Sequence, residues 1–301
     1  MTSKLQDYHN GSWFTKVVDT SKMPTLSKPE IEAKLYNWLE EYSVEKYPSE
    51  HRHHLGISII GDECSRKLWY TFRWVKLGQA EGRMRRLWNR GHREEEQFKQ
   101  FLYWCGFEGR GIDPVTGKEY KLSAVNGHYG GTPDGIMLVS WLDGVPVICE
   151  YKTHNDKSFK ELKDKKLAAA KPMHFSQMCG YGKDLEIRYG LYVAVNKNDD
   201  EIHFEFVELD WNKASELEKK AADIIYAKLP PPRINESPSY WKCKFCTNLK
   251  GVCHNGEAID KNCRSCVFAS PGEKAEWVCE KYGQIPREFL KQGCGDWKGI
   301  V

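Results

Sequence analysis

Three charged residues sit at spacings that could do chemistry: Asp134 in Gly131-Thr132-Pro133-Asp134-Gly135, and Glu150 and Lys152 in Cys149-Glu150-Tyr151-Lys152. The chain between them reads as a β-hairpin. β-rich runs at 135–141 and 145–152 flank Asp143-Gly144, a pair that favours tight turns. A two-residue loop there pairs Lys152 with Gly135 and Glu150 with Met137. Side chains alternate along a strand, so Glu150 and Lys152 share a face. Two carboxylates and one ammonium group then gather at one end of the hairpin. Carboxylate oxygens are hard ligands that can hold Mg²⁺ or Mn²⁺ and leave positions for water and phosphate. Such an ion polarises a phosphoryl oxygen and acidifies water. Lys152 could orient that water or neutralise developing charge, and the carbonyl of Tyr151 is placed to be a further ligand. An ordinary surface hairpin with a Glu/Lys pair has the same pattern, so neighbouring features must decide.

Two such features stand on predicted helices. His92, within Arg90-Gly91-His92-Arg93-Glu94-Glu95-Glu96, could offer a neutral imidazole to a metal, with Glu95 and Glu96 one turn on to orient it or approach the ion. Gln177 and Tyr181 form an i,i+4 pair that could position Lys152 or a DNA phosphate. Taken in order, Gly91-His92, Pro133-Asp134, Glu150-x-Lys152 and Gln177-x3-Tyr181 resemble the motifs of RecB-type PD-(D/E)xK nucleases, over about residues 64–253. The resemblance implies a central mixed β-sheet flanked by helices and metal-dependent cleavage of DNA phosphodiester bonds. It implies His92, Asp134 and Glu150 as metal ligands, with the Tyr151 carbonyl beside them. Lys152 becomes the catalytic lysine, and Gln177 and Tyr181 support the site and the substrate strand.

Seven of the 11 cysteines lie from Cys243 onward, a clustering that in a reducing compartment points to metal rather than disulfides. Cys243-x2-Cys246-x6-Cys253 follows a triple proline, and Cys64 stands alone far upstream. This layout resembles an iron–sulfur subset of the same nucleases, the AddAB-type and CRISPR-adaptation exonucleases, and implies that these four residues ligate a [4Fe–4S] cluster. Zinc held by Cys243, Cys246, Cys253 and His254 is the alternative, though adjacent ligands are awkward and Cys64 is then unused. Cys263-x2-Cys266-x12-Cys279-x14-Cys294 lies outside the resemblance and suits a tetrahedral Zn²⁺ site. Cys105, Cys149 and Cys179 sit in apolar contexts and read as buried thiols.

The elements that must position these groups can be read coarsely. Helices are predicted at 27–42, where Ser27 and Glu30 give a capping signal, and at 61–72, 84–105, 165–182 and 211–229. A second strand pair is predicted at 189–196 and 202–209, and Pro230-Pro231-Pro232 ends the last helix. These imply three regions: an N-terminal helical or extended segment (1–55), an α/β nuclease core (56–235) and a Cys-rich metal-binding module (236–301). The 301 residues suffice for such a core; 40% are hydrophobic and 29% charged. The net charge of +3 means that any nucleic-acid surface is a local patch. The polar N-terminus carries no signal-peptide pattern and no apolar run is long enough to cross a bilayer, so the expected location is the cytoplasm.

Arg85, Arg86, Arg90 and Arg93 flank His92, and Lys157 and Lys160 follow the Glu-x-Lys motif; both groups could contact phosphates irrespective of sequence. Trp69, Tyr70, Phe72, Trp74 and Trp88 could stack bases, but core packing is the favoured reading for most of them. The expectation is therefore a phage or bacterial DNA exonuclease favouring single-stranded DNA, a preference taken from the family. It would act in recombination, replication or DNA turnover, alongside other proteins of those processes. A structure-specific endonuclease is an alternative. A non-catalytic DNA-binding iron–sulfur or zinc protein is another, but such a binder has no need of Asp134, Glu150 and Lys152 together.

Overall fold

The structure, a computed structural model, describes residues 27–113 and 116–301. Residues 1–26 of the expected N-terminal segment lie outside them. Helix α1 (Lys28–Lys46) opens at Ser27 with a proline in its first turn, as read from sequence, but the Ser27 side chain makes no capping bond. A short strand β1 (Leu55–Gly56) and a single 3₁₀ turn lead into α2 (Ser65–Phe72), whose N-cap is Cys64. Then come α3 (Gly82–Trp104), β2 (Phe107–Gly109), β3 (Leu122–Ala124) and β4 (Tyr129–Gly131). The predicted hairpin is β5 (Gly135–Val139) and β6 (Val145–His154). It is followed by α4 (Asp156–Ala170), α5 (Pro172–Asp184), β7 (Tyr189–Asn196), β8 (Ile202–Glu208) and α6 (Trp211–Tyr226). The C-terminal region adds α7 (Trp241–Lys244), α8 (Thr247–Asn255) and a small antiparallel sheet of β9 (Ala269–Pro271), β10 (Trp277–Cys279) and β11 (Gly283–Ile285).

The central sheet has the order β2-β5-β6-β7-β8, parallel only between β6 and β7. The fold is thus α/β with a mixed sheet flanked by helices, as expected. On one face α3 packs Phe98 and Leu102 against Met137, Val147 and Tyr151. On the other, α4 and α5 cover Ile148, Tyr192 and Ala194, and α6 packs against α5. Burial of a large apolar side chain of this kind contributes about 1.5–3 kcal/mol. β1 joins β4 and β3 in a separate three-stranded sheet.

Two sequence expectations are corrected. The hairpin loop is longer than two residues: Val139 pairs with Val145 and Gly135 with Cys149. A 3₁₀ turn at Ser140–Leu142 precedes Asp143, and Asp143 and Gly144 then take the positive φ that the Asp-Gly pair favours. The register therefore shifts by three residues. The single helix expected at 165–182 is two. Pro172 lacks an N–H and disfavours helix at the residue before it, so the chain breaks at Lys171 and α5 restarts there. α4 begins earlier than expected because the Asn155 side chain caps it, accepting from the Ser158 N–H at 2.9 Å.

The 236–301 region shares the main hydrophobic cluster: Trp277, Leu290 and Ile300 are buried with residues of α2, α5 and α6. Among the described residues no helix is long and apolar enough to cross a membrane.

Gly182 lets α5 approach the backbone beside it; a Cβ there would meet the Ile187 carbonyl at 2.7 Å and also crowd Leu209. Gly182→Ala should therefore lower stability by about 1–3 kcal/mol in urea denaturation, because a backbone carbonyl cannot yield as a flexible side chain can.

Candidate active site

β5 leaves β6 after the Gly135–Cys149 pair, whereas β6 continues to His154 with β7 on its other edge. From Glu150 onward one edge of β6 has no strand partner. Asp134 takes up the first freed group: its carboxylate accepts the Tyr151 N–H at 3.1 Å. The loop that carries Asp134 is held from α5, where the Tyr181 hydroxyl donates to the Thr132 carbonyl at 2.9 Å. Gly131 allows that approach, since a Cβ there would lie 2.5 Å from the Tyr181 hydroxyl. Gln177, one turn earlier on α5, is also buried.

Lys152 gathers the site. Its ammonium donates to Asp134 Oδ2 and to the Tyr151 carbonyl, both at 3.0 Å, and forms an ion pair with Glu150. The predicted meeting of Asp134, Glu150 and Lys152 is present despite the shifted register, because the Asp134 side chain spans the gap between the parted strands. Glu150 is fully buried, and apart from the Lys152 ammonium against Oε1 its oxygens have no polar partner among the described residues. Burial pushes its carboxyl up to about 8; Lys152 opposes the shift and Asp134 reinforces it. Burial alone would discharge Lys152, but Glu150 and Asp134 outweigh it and hold the ammonium above the ordinary lysine value. The Tyr151 ring points to the opposite face and packs on Phe98, with centroids 5.7 Å apart.

The contribution of α3 differs from expectation. His92 is 74% exposed and meets Glu95, Nδ1 to Oε1, at 3.4 Å. Glu95 is the α3 group that acts on the centre. Its carboxyl is raised by burial and by Asp134, and it in turn helps to raise Glu150. The helical period explains this: three positions from His92, Glu95 turns inward where His92 faces solvent. The same face of β6 ends in a buried histidine that sequence reading passed over. His154 and His174 both reach the Tyr192 hydroxyl, at 2.9 and 2.7 Å, one strand and one helix turn from Glu150 and Gln177. Their convergence on one hydroxyl depends on the β6–β7 register, and no local motif announces it.

The donor set suits Mg²⁺ or Mn²⁺. Asp134, Glu150 and the Tyr151 carbonyl are hard oxygens, and the Oε2 of the buried Glu150 has no partner among the described residues. The Lys152 ammonium, a cation, already touches all three. Among the described residues no three His, Cys, Asp or Glu side chains stand arranged to hold a metal ion, so the set rests on two carboxylates and a carbonyl.

The expected phosphate-binding residues separate into two groups. Arg85 is corrected to an internal tie: it is 3% exposed and donates to the carbonyls of Ala80, Val44 and Tyr47. Arg86 is engaged with Ser43 and Glu40 of α1. Arg90 is half-buried against the Lys197 carbonyl and Glu94, while Arg93 on α3 and Lys157 and Lys160 on α4 are exposed. Trp69, Tyr70, Phe72 and Trp74 are buried as core, and Trp88 is 46% exposed.

Cys64, Cys243, Cys246 and Cys253 line one pocket of about 490 Å³, together with Arg66, Lys171 and His174. Cys64 and Cys246 stand at the N-caps of α2 and α8. In the second group, Cys263 Sγ lies 3.2 Å from the carbonyl of Gln292, two residues before Cys294, and Cys279 pairs with Ala269, three residues after Cys266. Cys149 and Cys179 are buried, as expected; Cys105 is only half-buried.

No protein-family model matches the chain, and no curated protein matches it in sequence. Among solved structures it is similar to SSO0001, at 18% identity and a TM-score of 0.42, over 70% of this chain and 93% of that one. It is similar to an alkaline exonuclease, LHK-Exo from Laribacter hongkongensis, at 14% identity and a TM-score of 0.41, over 60% of this chain and 90% of that one. The same exonuclease in complex with dAMP gives 13% identity and a TM-score of 0.41, with the same coverage.

Burial lowers His174 to about 3 and His154 to about 4, with Lys152 and Lys171 adding to both. The unfolded chain then binds protons that the folded chain refuses. Stability present above about pH 6.5 should be lost as the pH falls towards about 3–4. His174→Gln should flatten this part of the acid unfolding profile, measured as urea midpoints from pH 7 to pH 4 in the metal-free protein.

Proposed function

We propose that this chain is a metal-dependent deoxyribonuclease whose reacting centre is Asp134, Glu150 and Lys152. The observation that carries it is the Lys152 ammonium held between Asp134, the Tyr151 carbonyl and the fully buried Glu150, whose other oxygen has no partner among the described residues. Burying a carboxylate with so little compensation is costly to a fold, and such groups gather at functional sites. Asp134, Glu150 and the Tyr151 carbonyl would hold Mg²⁺ or Mn²⁺, with the Glu95 carboxylate adding to the negative charge around them. When bound, such an ion polarises a phosphate oxygen and acidifies water.

The remaining work belongs to the chain. With Asp134 and Glu150 engaged in holding such an ion, Lys152 would be free to pair with a phosphate oxygen, where its charge would offset that developing in the transition state. Asp134, tied to the Tyr151 N–H, keeps its carboxylate aimed at the gap between the strands. Tyr181 fixes the turn before Asp134, and Gln177 lies in the same helix wall. Arg93, Lys157 and Lys160, exposed on α3 and α4, supply sequence-independent phosphate contacts, with Arg90 beside them. Linear single-stranded DNA, cut from an end, is the proposed substrate.

Cys64, Cys243, Cys246 and Cys253 are proposed to hold a [4Fe–4S] cluster. Four soft donors face one cavity with room for a multi-atom group, and Cys64 precedes the sheet whereas the other three follow it. Such a cluster would tie the two ends of the α/β body together. Protein purified without oxygen should show broad visible absorption, lost in Cys64→Ser.

End-labelled single-stranded DNA, linear and circular, with Mg²⁺ or Mn²⁺ tests the nuclease reading. Wild type should shorten the linear strand and spare the circle. Lys152→Ala should cut at least about 10³-fold more slowly, the loss of several kcal/mol of charge stabilisation. Cutting of the circle would make the enzyme an endonuclease using the same site. No cleavage by folded wild type with either ion would leave a DNA-binding protein.

A further inference from the structure

Two arginines are buried where the C-terminal region meets the rest of the chain. Arg264 has no exposed surface; its guanidinium lies 4.2 Å from the Trp74 ring centre and 4.7 Å from that of Trp277. Arg73 is 2% exposed and lies 5.0 Å from the Trp277 ring centre. Their hydrogen-bond partners are backbone carbonyls: Phe72 and His53 for Arg264, Cys266 and Ala269 for Arg73. The Nε of each is buried without a partner, and no carboxylate pairs with either among the described residues. Two charges have been taken out of water with aromatic faces and carbonyl dipoles as their compensation. Uncompensated burial of charge is costly, and a nearby anion is the ordinary remedy.

Sulfur that could carry negative charge stands beside them: Arg73 donates to the Cys266 carbonyl and Arg264 follows Cys263 in the chain. Arg264 sits inside the Cys263-x2-Cys266 turn, closed by the Cys266 N–H on the Cys263 carbonyl at 3.1 Å. Cys279 ends β10, two residues after Trp277, and Cys294 comes from the C-terminal loop. Cys279 pairs with Ala269, three residues after Cys266, and Cys263 Sγ meets the carbonyl of Gln292, two residues before Cys294. Four thiolates around a divalent ion carry a net charge of two minus, equal and opposite to the two guanidiniums. The loops concerned also lack a core of their own. From residue 280 to 298 only Leu290 is buried, and the nearby sheet has strands of three residues each. A segment so thinly buried is ordinarily cross-linked by a metal or disulfides.

We propose that Cys263, Cys266, Cys279 and Cys294 hold one zinc ion as a tetrathiolate site, which locks the C-terminal loops to the α/β body and neutralises the buried Arg73 and Arg264. A single ion fits better than a multi-atom cluster. Cys263 Sγ lies tight against the carbonyls of Gln292 and Phe289, at 3.2 and 3.6 Å, whereas the Cys64 group faces an open cavity. Among the described residues no three side chains already stand at metal-holding geometry. Binding therefore requires the exposed Cys294 loop to draw in on the buried Cys266 side. The site is independent of the nuclease reading, since none of its residues belongs to the reacting centre.

The test is elemental analysis of the full chain, purified without added metal, comparing wild type with Cys294→Ser, Cys279→Ser and Cys243→Ser. Cys294 is exposed, so its replacement by serine leaves packing intact; circular dichroism checks that each variant is folded. The expected result is about one zinc per chain that is absent from Cys294→Ser and Cys279→Ser and kept in Cys243→Ser. Cys294→His should retain the ion, and its cobalt-substituted form should show tetrahedral bands with weaker sulfur-to-cobalt charge transfer than wild type. Zinc content unchanged in Cys294→Ser, a wild type without zinc, or iron with visible absorption lost in Cys279→Ser would each overturn the proposal. DNA cleavage by the Cys294 variants reports separately on the reacting centre.

Discussion

A β-ladder that loses one partner midway must satisfy its freed N–H groups by other means, and the rest of this molecule depends on how that is done. β6 outruns β5 beyond Cys149. The side chain of Asp134 replaces the missing strand at Tyr151, and Lys152 bridges back from β6 to Asp134. The ion pair with Glu150 closes the group. Had β5 continued, the backbone would have sealed the edge and the carboxylates would have faced one another across an ordinary ladder. The parting of the strands turns an interior strand into a place where a ligand can reach buried charge.

Both faces of the sheet are then committed. The α3 face receives Tyr151 and Cys149, and α3 also sends Glu95 towards Asp134. The opposite face receives Glu150, with Tyr192 and His154 beside it, and is roofed by α5. α5 packs closely because glycines at 131, 180 and 182 remove side chains where the helix, the Asp134 loop and the 3₁₀ turn before α2 converge. The break at Pro172 sets where α5 begins, and so which of its residues face the centre. The position of the carboxylate proposed to react thus rests on a proline break, three missing methyl groups and one tyrosine hydroxyl.

The C-terminal region is attached by a different device. Two guanidiniums lie against Trp277: Arg264 reaches the carbonyls of His53 and Phe72 in the preceding body, and Arg73 of that body reaches those of Cys266 and Ala269. Arginine suits this interface because its planar, weakly hydrated cation can stack and donate at once. The arrangement makes the Cys-rich region part of the main core, since Trp277, Leu290 and Ile300 belong to the same buried cluster as α6.

Much of this was legible in the chain itself. The alternation through Glu150 and Lys152, the Pro133-Asp134 turn, the strand at 189–196 and the clustering of seven cysteines are local patterns, and local patterns follow from backbone geometry and side-chain period. The sequence by itself therefore determined the α/β class, the residues that could do chemistry and the side of the strand they occupy. The hairpin register escaped it, because a 3₁₀ turn at Ser140–Leu142 competes with the Asp-Gly pair for the loop. So did the inward turn of Glu95 in place of His92, the withdrawal of Arg85 into the interior and the meeting of His154 with His174 on Tyr192. Each of these is settled by which surfaces pack together at long range. A charged residue on a helix carries no local mark of whether its face will meet solvent or a neighbouring strand; only the packed tertiary structure decides that.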